Sequence, residues 1–413
     1  MKLVHHLRLA CKVLLRRKGF TAISLFTIAA TLLVVSTCAA FLDVVFGTNP
    51  PESRLDRAVG IMAMGMYGPR GGTTSSAGYG FLDRYMRDVP GVEEKTFFSY
   101  PSGATAYVDG RRVRLMRKRT DGSFWRVFDL HFLEGGPFTD EDERDHNFVA
   151  VVNAAMRDKL LGSGPAVGRW IEIEGQRFRV VGVVDNVPIV KLLPGADVWV
   201  PLSTSRSELY KTEFVGTYLA IFVARSRSDL GAIRAEIGRR ILTTPSPNPD
   251  FPEMRGGADT KFEAQSRMLL ADHLDSARPA GLFGLFVGAA VLFMLLPAVN
   301  LINLNASRVA ERATEIGVRR AFGAPRRALL GQFLLENLVL SLAGGAIGFM
   351  LSTLALAVIN ASGFIPYLDL HVNFAVAGWT FAGAVVFGLL SGLWPAYRMS
   401  RISPIAALAG GPR

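Results

Sequence analysis

The stretch from Asn303 to Asn337 carries six arginines, with Glu311 and Glu315 interleaved among them, and it lies between two long apolar runs. Guanidinium and carboxylate groups repeated at helical spacing form ion pairs and recognise surfaces of mixed charge. Glu315 stands four residues before Arg319, which is the favourable order for such a pair on a helix. The chemistry available here is therefore recognition of a partner rather than catalysis.

The spacing within this stretch predicts a short amphipathic helix followed by a sharp turn. At about 100° per residue, Val309, Ala313 and Ile316 fall on one side and the charged residues on the other. Gly323 and Pro325 end the helix, because glycine adopts the left-handed conformation and proline cannot continue a helix. A basic interfacial helix can also serve simply as an anchor on anionic lipid head groups. The interleaved glutamates favour a protein partner, since anionic lipid repels them.

No other group of residues predicts a catalytic or metal site. The six histidines lack metal-ligand spacing with Cys, Asp or Glu. The acidic run 139–145 lacks the glycine and the terminal glutamate of a calcium loop, and we expect a solvated turn there. The sequence contains neither a G-x-S-x-G elbow nor a G-x-x-x-x-G-K-[ST] phosphate-binding loop. We therefore expect no catalytic residue, no metal and no cofactor, and any ATP would be bound by a partner subunit.

Four apolar runs are long enough to position the charged stretch at a membrane. A helix rises ~1.5 Å per residue, so about 20 apolar residues cross ~30 Å of hydrocarbon. We predict transmembrane helices at residues 20–46, 280–303, 329–360 and 374–397. A secretory signal peptide would also begin with basic residues. The first run is longer than the apolar core of about 7–15 residues in such a peptide, so we expect an uncleaved helix.

The distribution of charge predicts the orientation of these helices. The domain between the first two runs holds 31 basic and 30 acidic residues, and the rest of the chain holds 15 basic and 5 acidic. The positive-inside rule then places segments 1–19, 304–327 and 398–413 in the cytosol, while 47–278 and the loop 361–373 face outward. The basic character thus reports topology. It does not indicate nucleic-acid binding, which needs basic residues gathered on an exposed domain.

Residues 47–278 show a mixed α and β pattern. Apolar and polar residues alternate about Asp109-Gly110 and about Glu174-Gly175, which predicts two β-hairpins. Other patterns predict strands at 180–184 and 218–223, helices at 153–161 and 229–243, and loops at 65–80 and 243–257.

The cysteines, Cys11 and Cys38, lie outside this domain, so its own core must hold it together without a disulfide. The predicted fold is a membrane protein with four transmembrane α-helices and a large α+β extracytoplasmic domain inserted between helices 1 and 2.

A few polar and small residues within the apolar runs stand out. Glu336 is a functional candidate because ionisable groups in spans are costly. We favour the alternative that the third helix begins later and that Glu336 pairs with Arg326 or Arg327 at the inner interface. Asn300, Asn303 and Asn305 are expected to hydrogen-bond across helices rather than to bind a substrate. Glycines four residues apart allow close helix packing. These are Gly284 and Gly288, Gly344 and Gly348, and Gly388 and Gly392.

The sequence ERATEIGVRRAFGAPRRALLGQFLLEN, which begins at Glu311, resembles the signature of the MacB/FtsX-like permeases of ABC transporters. The similarity continues at Gly344-Gly345-x-x-Gly348 and in the closing sequence GLWPAYRMSRISPIAAL. Within the outward domain, VAVVNAAMRDKLLGSGPAVGRWIEIEGQRFRVVGVV is similar to the core of the family's periplasmic domain. The resemblance covers nearly the whole chain.

The resemblance implies a permease of the bacterial inner membrane that pairs with a second copy or a paralogue and binds a cytosolic ABC ATPase. The sequence contains no G-x-x-x-x-G-K-[ST] phosphate-binding loop, so we expect the ATPase to be a separate subunit. The outward domain would have a porter-like lobe with a second lobe inserted at about 121–201. The expected ATPase-coupling residues are Arg308, Glu311, Arg312, Glu315, Ile316, Gly317, Arg319, Arg320, Gly323 and Ala324.

Two classes of function follow from the resemblance. One is export or extraction of a drug, peptide, lipid or lipoprotein, in which a periplasmic adaptor and an outer-membrane channel could take part. The other is a signalling module like the cell-division members, which activates a periplasmic cell-wall hydrolase. The large outward domain favours transport, because the cell-division type has a much smaller one.

Overall fold

The structure, a computed structural model, describes residues 18–108, 110–270, 274, 277–311, 318, 322 and 325–400. The chain divides into two compact units. One comprises the chain up to Asp43, Gly284–Phe364 and the residues from Leu370 onward, and the other comprises Val44–Phe283 with Ile365–Asp369. Nearly all of the predicted N-terminal segment 1–19, and all of residues 401–413, lie outside the described part.

The helices confirm the predicted four spans. In chain order the described α-helices are α1 (Lys18–Phe46), α2 (Tyr79–Tyr85), α3 (Phe124–Val127), α4 (Asp140–Arg144), α5 (Ala154–Leu161), α6 (Leu230–Thr243), α7 (Lys261–Leu270), α8 (Pro279–Glu311), α9 (Arg326–Ser362) and α10 (Phe374–Ser400). Of these, α1, α8, α9 and α10 are long and apolar enough to cross a membrane. Helix α8 continues past the expected end at Asn303 as far as Glu311.

The helices of the membrane unit pack through apolar contacts and through a polar bond between α1 and α8. Asn300 on α8 donates a hydrogen bond from its Nδ2 to Thr27 Oγ1 of α1, at 3.2 Å, as expected for an amide near the end of the second run. Ile28 and Leu32 of α1 pack with Leu301 of α8 in a small buried cluster. Helices α9 and α10 pack against each other. Close approach of α1 and α8 thus combines apolar contact with one polar bond.

The domain between α1 and α8 is built on one mixed sheet. Its strands are β1 (Ala58–Ile61), β2 (Met64–Gly68), β3 (Gly71–Ala77), β4 (Val92–Ser99), β5 (Ser102–Val108), β6 (Arg111–Thr120), β7 (Phe132–Gly135), β8 (Val149–Asn153), β9 (Trp170–Ile173), β10 (Gln176–Val184), β11 (Val198–Pro201), β12 (Val215–Gly216), β13 (Tyr218–Ala224) and β14 (Glu253–Gly256). An α+β domain between the first two membrane helices confirms the predicted fold class.

Six of the described strands close into a ring in the order β5, β6, β11, β8, β10 and β9. Side chains from every one of these strands fill its interior, among them Leu115, Val152, Ile173, Phe178 and Val200. Met156 and Leu160 of α5 join the same cluster. The ring begins at Ser102, ahead of the expected lobe boundary near residue 121, because the β5–β6 hairpin supplies two of its strands.

The rest of the sheet surrounds β13, which is buried on both faces. One face carries Ala220 and Phe222, which pack with Ile233 and Ile237 of α6. The opposite face carries Leu219, Ile221 and Val223, and it packs in a second cluster with aromatic residues from β4 and α3 and with α7. Burial on both faces explains why β13 is an unbroken apolar run in the sequence.

Most of the predicted elements of this domain are confirmed. The hairpins form with turns at Gly110 and at Glu174-Gly175, where all three residues have positive φ angles of 50–75°. The prediction of a loop at 65–80 is wrong, because β2 and β3 pair there in a hairpin and α2 begins at Tyr79. The loop predicted at 243–257 is wrong in part, because β14 pairs with β2 there. The acidic run 139–145 forms the short exposed helix α4, which is capped by Thr139.

Candidate functional site

The predicted coupling residues lie mostly outside the described part of the chain. Arg308 and Glu311 belong to the backbone of α8, so they share one helix with the second apolar run. The other eight are not described: Arg312, Glu315, Ile316, Gly317, Arg319, Arg320, Gly323 and Ala324. Between them, the Phe322 N–H donates to Val318 O at 3.1 Å, and the Phe322 side chain is exposed. Pro325 has an extended conformation and precedes α9, as expected of a residue that stops a helix.

The polar residues predicted in the spans occupy different environments. Helix α9 begins at Arg326, ahead of the predicted start at 329 and not later as the favoured alternative required. Glu336 lies within it with 1% of its surface exposed. Gln332 Nε2 donates to Glu336 Oε1 at 3.4 Å on the same helix face. Asn303 is exposed in this single chain. The side chains of Arg326 and Arg327 lie outside the described part, so their pairing with Glu336 stays a prediction.

The glycine pairs differ in what they contact. A Cβ atom added to Gly344 would lie 2.9 Å from Ile28, and one added to Gly348 would lie 2.8 Å from Leu32, so α9 approaches α1 closely at both positions. Gly388 of α10 lies against Ser341 of α9. Gly284 and Gly288 would meet no described atom within 4 Å. The surroundings of Gly392 are not described.

A buried group of charges, which the sequence did not predict, joins the first and last parts of the outward domain. Glu52 follows α1 and has no exposed surface. Lys261 Nζ, at the start of α7, lies 2.8 Å and 3.0 Å from the two carboxylate oxygens of Glu52. Lys191 Nζ lies 3.3 Å from Glu52 Oε2. We call Glu52, Lys191 and Lys261 the junction.

Hydrogen bonds with backbone groups hold Glu52 and Lys191 of the junction in place. Glu52 N–H donates to Asn49 O at 3.0 Å, and Glu52 precedes the 3₁₀ helix Ser53–Arg57. Lys191 Nζ also donates to Asn49 O and Pro50 O, at 3.0 Å and 3.2 Å. The charge of Lys191 therefore satisfies both the carboxylate and the carbonyls of the segment that follows α1. Burial lowers the pKa of Lys261, although the Glu52 carboxylate opposes that shift.

The loop 185–197 connects the junction to the ring. Lys118 of β6, which has no exposed surface, donates from its Nζ to Leu192 O at 2.8 Å and to Leu193 O. Trp199 Nε1 donates to Pro194 O at 3.0 Å. Burial lowers the pKa of Lys118 well below its ordinary value. The loop that carries Lys191 is thus fixed to two strands of the ring, β6 and β11.

Helix α7 is held by two further ion pairs. Arg267 makes two bonds to the Asp259 carboxylate, at 2.6 Å and 2.9 Å, and donates to Leu274 O at 2.9 Å. Asp259 in turn exchanges two backbone bonds with Gly60 of β1. Glu263 receives two bonds from Arg234 of α6, at 2.9 Å and 2.7 Å. The helix that precedes α8 is therefore bonded to both the sheet and α6.

The junction consists of buried ion pairs and hydrogen bonds. Within the described residues, no cluster of His, Cys, Asp and Glu could hold a metal ion. Buried ion pairs fix geometry because breaking one strands a charge in a medium that solvates it poorly. These bonds therefore tie the segment after α1, the segment before α8 and the loop 185–197 to one another within the outward domain. Lys191, alone in the apolar stretch 187–196, is the one sequence signal that could have indicated the junction.

Comparison with known proteins identifies the family of this chain. A model of the MacB-like periplasmic core domain matches residues 21–240, and a model of the FtsX-like permease C-terminal domain matches residues 287–404. The chain belongs to the MacB/FtsX-like family of ABC transporter permeases, which confirms the resemblance noted in the sequence. It is a multi-pass protein of the inner membrane.

Relatives with curated descriptions are about 30% identical to this chain over the aligned residues. The pyoverdine export ATP-binding/permease protein PvdT of Pseudomonas fluorescens is 31% identical over 292 residues, which cover 70% of this chain and 42% of the relative. The macrolide export ATP-binding/permease protein MacB of Wolinella succinogenes is 29% identical, with 70% and 43% covered. The chain thus spans less than half the length of the relatives it matches.

Among solved structures, the periplasmic region of MacB from Actinobacillus actinomycetemcomitans is similar, at 14% sequence identity and a TM-score of 0.34. The match covers 44% of this chain and 85% of that structure.

Proposed function

We propose that this chain is the permease subunit of an ABC transporter in which a separate cytosolic ATPase drives movement of the periplasmic domain. The observation that carries the proposal is the junction, in which Glu52, after α1, is bonded to Lys261, ahead of α8. A change in the spacing of the two membrane helices would load these bonds directly. Through Lys191 the same load would reach the ring.

Export or extraction of a drug, peptide, lipid or lipoprotein is the work we assign to this movement. Support comes from the names of the relatives, which describe pyoverdine and macrolide export. We expect the permease to work as a dimer with a second copy or a paralogue. A periplasmic adaptor and an outer-membrane channel are the further partners we propose, with nothing carried through the membrane helices themselves.

The ATPase would bind the cytosolic segment 304–327, which includes the end of α8. Its interleaved charges, including Glu311 and Glu315, suit a protein surface better than lipid. We place both termini in the cytosol because the basic residues cluster there and in this segment. Glu311→Lys with Glu315→Lys should abolish ATPase binding in co-purification from membranes. Unchanged binding and turnover in that double variant would refute the assignment.

The coupling itself can be tested by distance measurements on the permease reconstituted with its co-purified ATPase in lipid nanodiscs. Cys11→Ser and Cys38→Ser remove the native cysteines from the permease. Leu209→Cys then carries the spin label, at a position that is 69% exposed. We expect ATP binding to shift the distance between the labels of the two copies. Glu52→Gln should remove that shift while the ATPase stays bound, because the junction no longer transmits the movement.

The matched control is Glu94→Gln, which affects an exposed pair with Arg126 and should leave the shift intact. A melting curve of Glu52→Gln without ATPase separates loss of fold from loss of coupling. If a folded Glu52→Gln variant keeps the full shift, the junction is not the transmitter. If the parent protein shows no shift with ATP, the proposed coupling is itself wrong.

A further inference from the structure

Among the described residues, the ring pairing with the fewest residue pairs lies between β5 and β9. The described ladder there contains a single residue pair, Ala106 with Ile173, and one further bond from Glu174 N–H to Thr105 O at 2.9 Å. The seam between β5 and β6, in contrast, is paired along the whole of β5. Beyond Ala106 the two strands line a groove of about 420 Å³. We call it the seam groove.

The seam groove has fixed walls. Leu160 and Leu161, at the end of α5, line one side of it. Arg169 donates to Leu161 O at 2.7 Å, which ties the start of β9 to that helix. Next to the paired Ala106 and Ile173, Arg117 of β6 pairs with Glu174 at 2.8 Å. The groove is therefore preorganised, and a volume of this size lies within the range of about 300–1,000 Å³ found for small-molecule sites.

Aromatic side chains face outward on both strands of the seam. Tyr107 of β5 and Trp170 of β9 are each 52% exposed, although apolar neighbours on the same strands point into the ring. The Arg177 guanidinium lies 5.5 Å from the centre of the Trp170 ring. A guanidinium over an indole gives a flat surface that is both aromatic and positively charged.

The charges around the seam groove are mainly positive. Arg169 and Arg177 line it, and Arg112 lies directly opposite Tyr107 on β6. Glu172 is the acidic residue of the lining, opposite Arg177 on β10. In the described part of the chain, none of these three arginines forms an ion pair. Each guanidinium has donors that could bind a carboxylate, sulfonate or phosphate.

We propose that the seam groove binds an amphiphilic anion, with its aromatic or aliphatic body against Trp170, Tyr107 and Leu161 and its acidic group against Arg169 and Arg177. A neutral ligand would leave the arginines unused, and an inorganic anion would leave the aromatic faces in water. The chemical class is therefore a small organic acid with one apolar face. This binding needs neither ATP nor the junction, so it stands apart from the proposed coupling.

The test is titration calorimetry of the full chain in nanodiscs with naphthalene-2-carboxylate, with empty nanodiscs as the blank. Naphthalene-2-carboxamide has the same ring without the charge. We expect the carboxylate to bind roughly tenfold more tightly than the amide, because charge-assisted bonds to arginine contribute only to the acid. Trp170→Ala and Arg177→Gln should each weaken binding of the carboxylate by roughly tenfold.

Two matched controls lie on exposed surface outside the groove. Arg70→Gln removes an exposed arginine from the β2–β3 turn, and Leu209→Ala removes an exposed apolar side chain. Both should leave the affinity unchanged. Equal binding of acid and amide, or full affinity in Trp170→Ala and Arg177→Gln, would overturn the proposal. Binding of an oligoglutamate peptide with no binding of the naphthalene acid would identify a protein-docking surface instead and would also overturn it.

Discussion

The junction and the seam groove both contain several charged side chains, but these are buried and paired in the junction and exposed in the seam groove. At the junction Glu52 is fully buried and is neutralised by Lys191 and Lys261 at 2.8–3.3 Å. In the seam groove, Arg169 and Arg177 remain exposed, with their charges directed at solvent. Buried and paired charges stabilise contacts within the protein, whereas exposed charges without an ion pair are available to bind a ligand.

The difference should also appear in energetics. Breaking a buried pair strands a charge and costs several kcal/mol, while an exposed pair contributes about 0–1 kcal/mol. Substitutions at the junction should therefore lower the free energy of unfolding, and substitutions in the seam groove should lower ligand affinity alone.

The largest effect is expected for Glu52→Ala. It leaves two buried lysines without their carboxylate, so the free energy of unfolding of the outward domain should fall by about 3–5 kcal/mol. Denaturant unfolding followed by tryptophan fluorescence measures it. Glu94→Ala, which breaks the exposed pair with Arg126, should cost no more than about 1 kcal/mol. Equal costs in the two variants would remove the distinction between the regions.

Arg267→Met should come next, at about 3 kcal/mol, because the Asp259 carboxylate loses both bonds and stays buried. The combination Asp259→Leu with Arg267→Met removes the stranded charge and should recover part of the loss. Unfolding free energies of the two single variants and the double variant give the interaction directly. If the losses of unfolding free energy in the two single variants add up to the loss in the double variant, the interaction between Asp259 and Arg267 contributes nothing to stability.

Lys118→Met should cost about 1–3 kcal/mol. Methionine fills similar space but leaves the Leu192 and Leu193 carbonyls without a donor. We expect the loop 185–197 to exchange its amide hydrogens faster, which hydrogen-exchange mass spectrometry can follow. Faster exchange confined to regions remote from this loop would contradict the anchoring role of Lys118.

A pH effect is expected at Asp121, which follows β6. Its carboxylate accepts bonds from Thr96 Oγ1 and Phe97 N–H, at 2.6 Å and 2.7 Å, yet burial of the carboxyl group raises its pKa from 3.8 to about 7. The folded state therefore holds a proton that the unfolded chain releases. The stabilisation from this proton is complete below pH 3.8 and is lost as pH rises to about 7.

Melting temperatures of the parent protein and of Asp121→Asn between pH 4 and pH 8 measure this effect. The advantage of the parent over the variant should shrink as the pH is raised toward 7 and then stay constant. Parallel melting curves over the whole range would contradict the raised pKa.

The smallest effect on stability is expected in the seam groove. Arg177→Gln should change the free energy of unfolding by no more than about 0.5 kcal/mol, because the side chain is exposed and forms no ion pair among the described residues. The same variant is expected to lose ligand affinity. A loss of stability as large as that of Glu52→Ala would show that this arginine serves the fold.

Local pattern was sufficient for the elements that depend on neighbours in the chain. The four apolar runs predicted the membrane helices, and Glu174-Gly175 predicted the β9–β10 turn, because both depend on residues close in sequence. The junction joins Glu52 to Lys261 across 209 residues. No spacing rule connects positions so far apart, so tertiary packing alone reveals that pair.

The loop prediction at 65–80 failed because the residue composition of this segment favours a loop while the neighbouring strands pair with it. Residues 65–80 are rich in Gly, Ser and Thr, which favours a loop, but β3 pairs with β2 on one side and with β12 and β13 on the other. Strand formation depends on what lies beside a segment more than on its own residues. The ring was missed for the same reason, because its closure requires β11 to pair with β6.

The edge strand β14 affects the tendency of the protein to aggregate at high concentration. Strand β14 is four residues long, carries Glu253 and Arg255, and is preceded by Pro252. Short, charged borders of this kind discourage edge-to-edge polymerisation between neighbouring molecules. The domain can therefore accumulate beside many copies of itself without seeding fibres, and replacing both charges with valine should make it prone to aggregate.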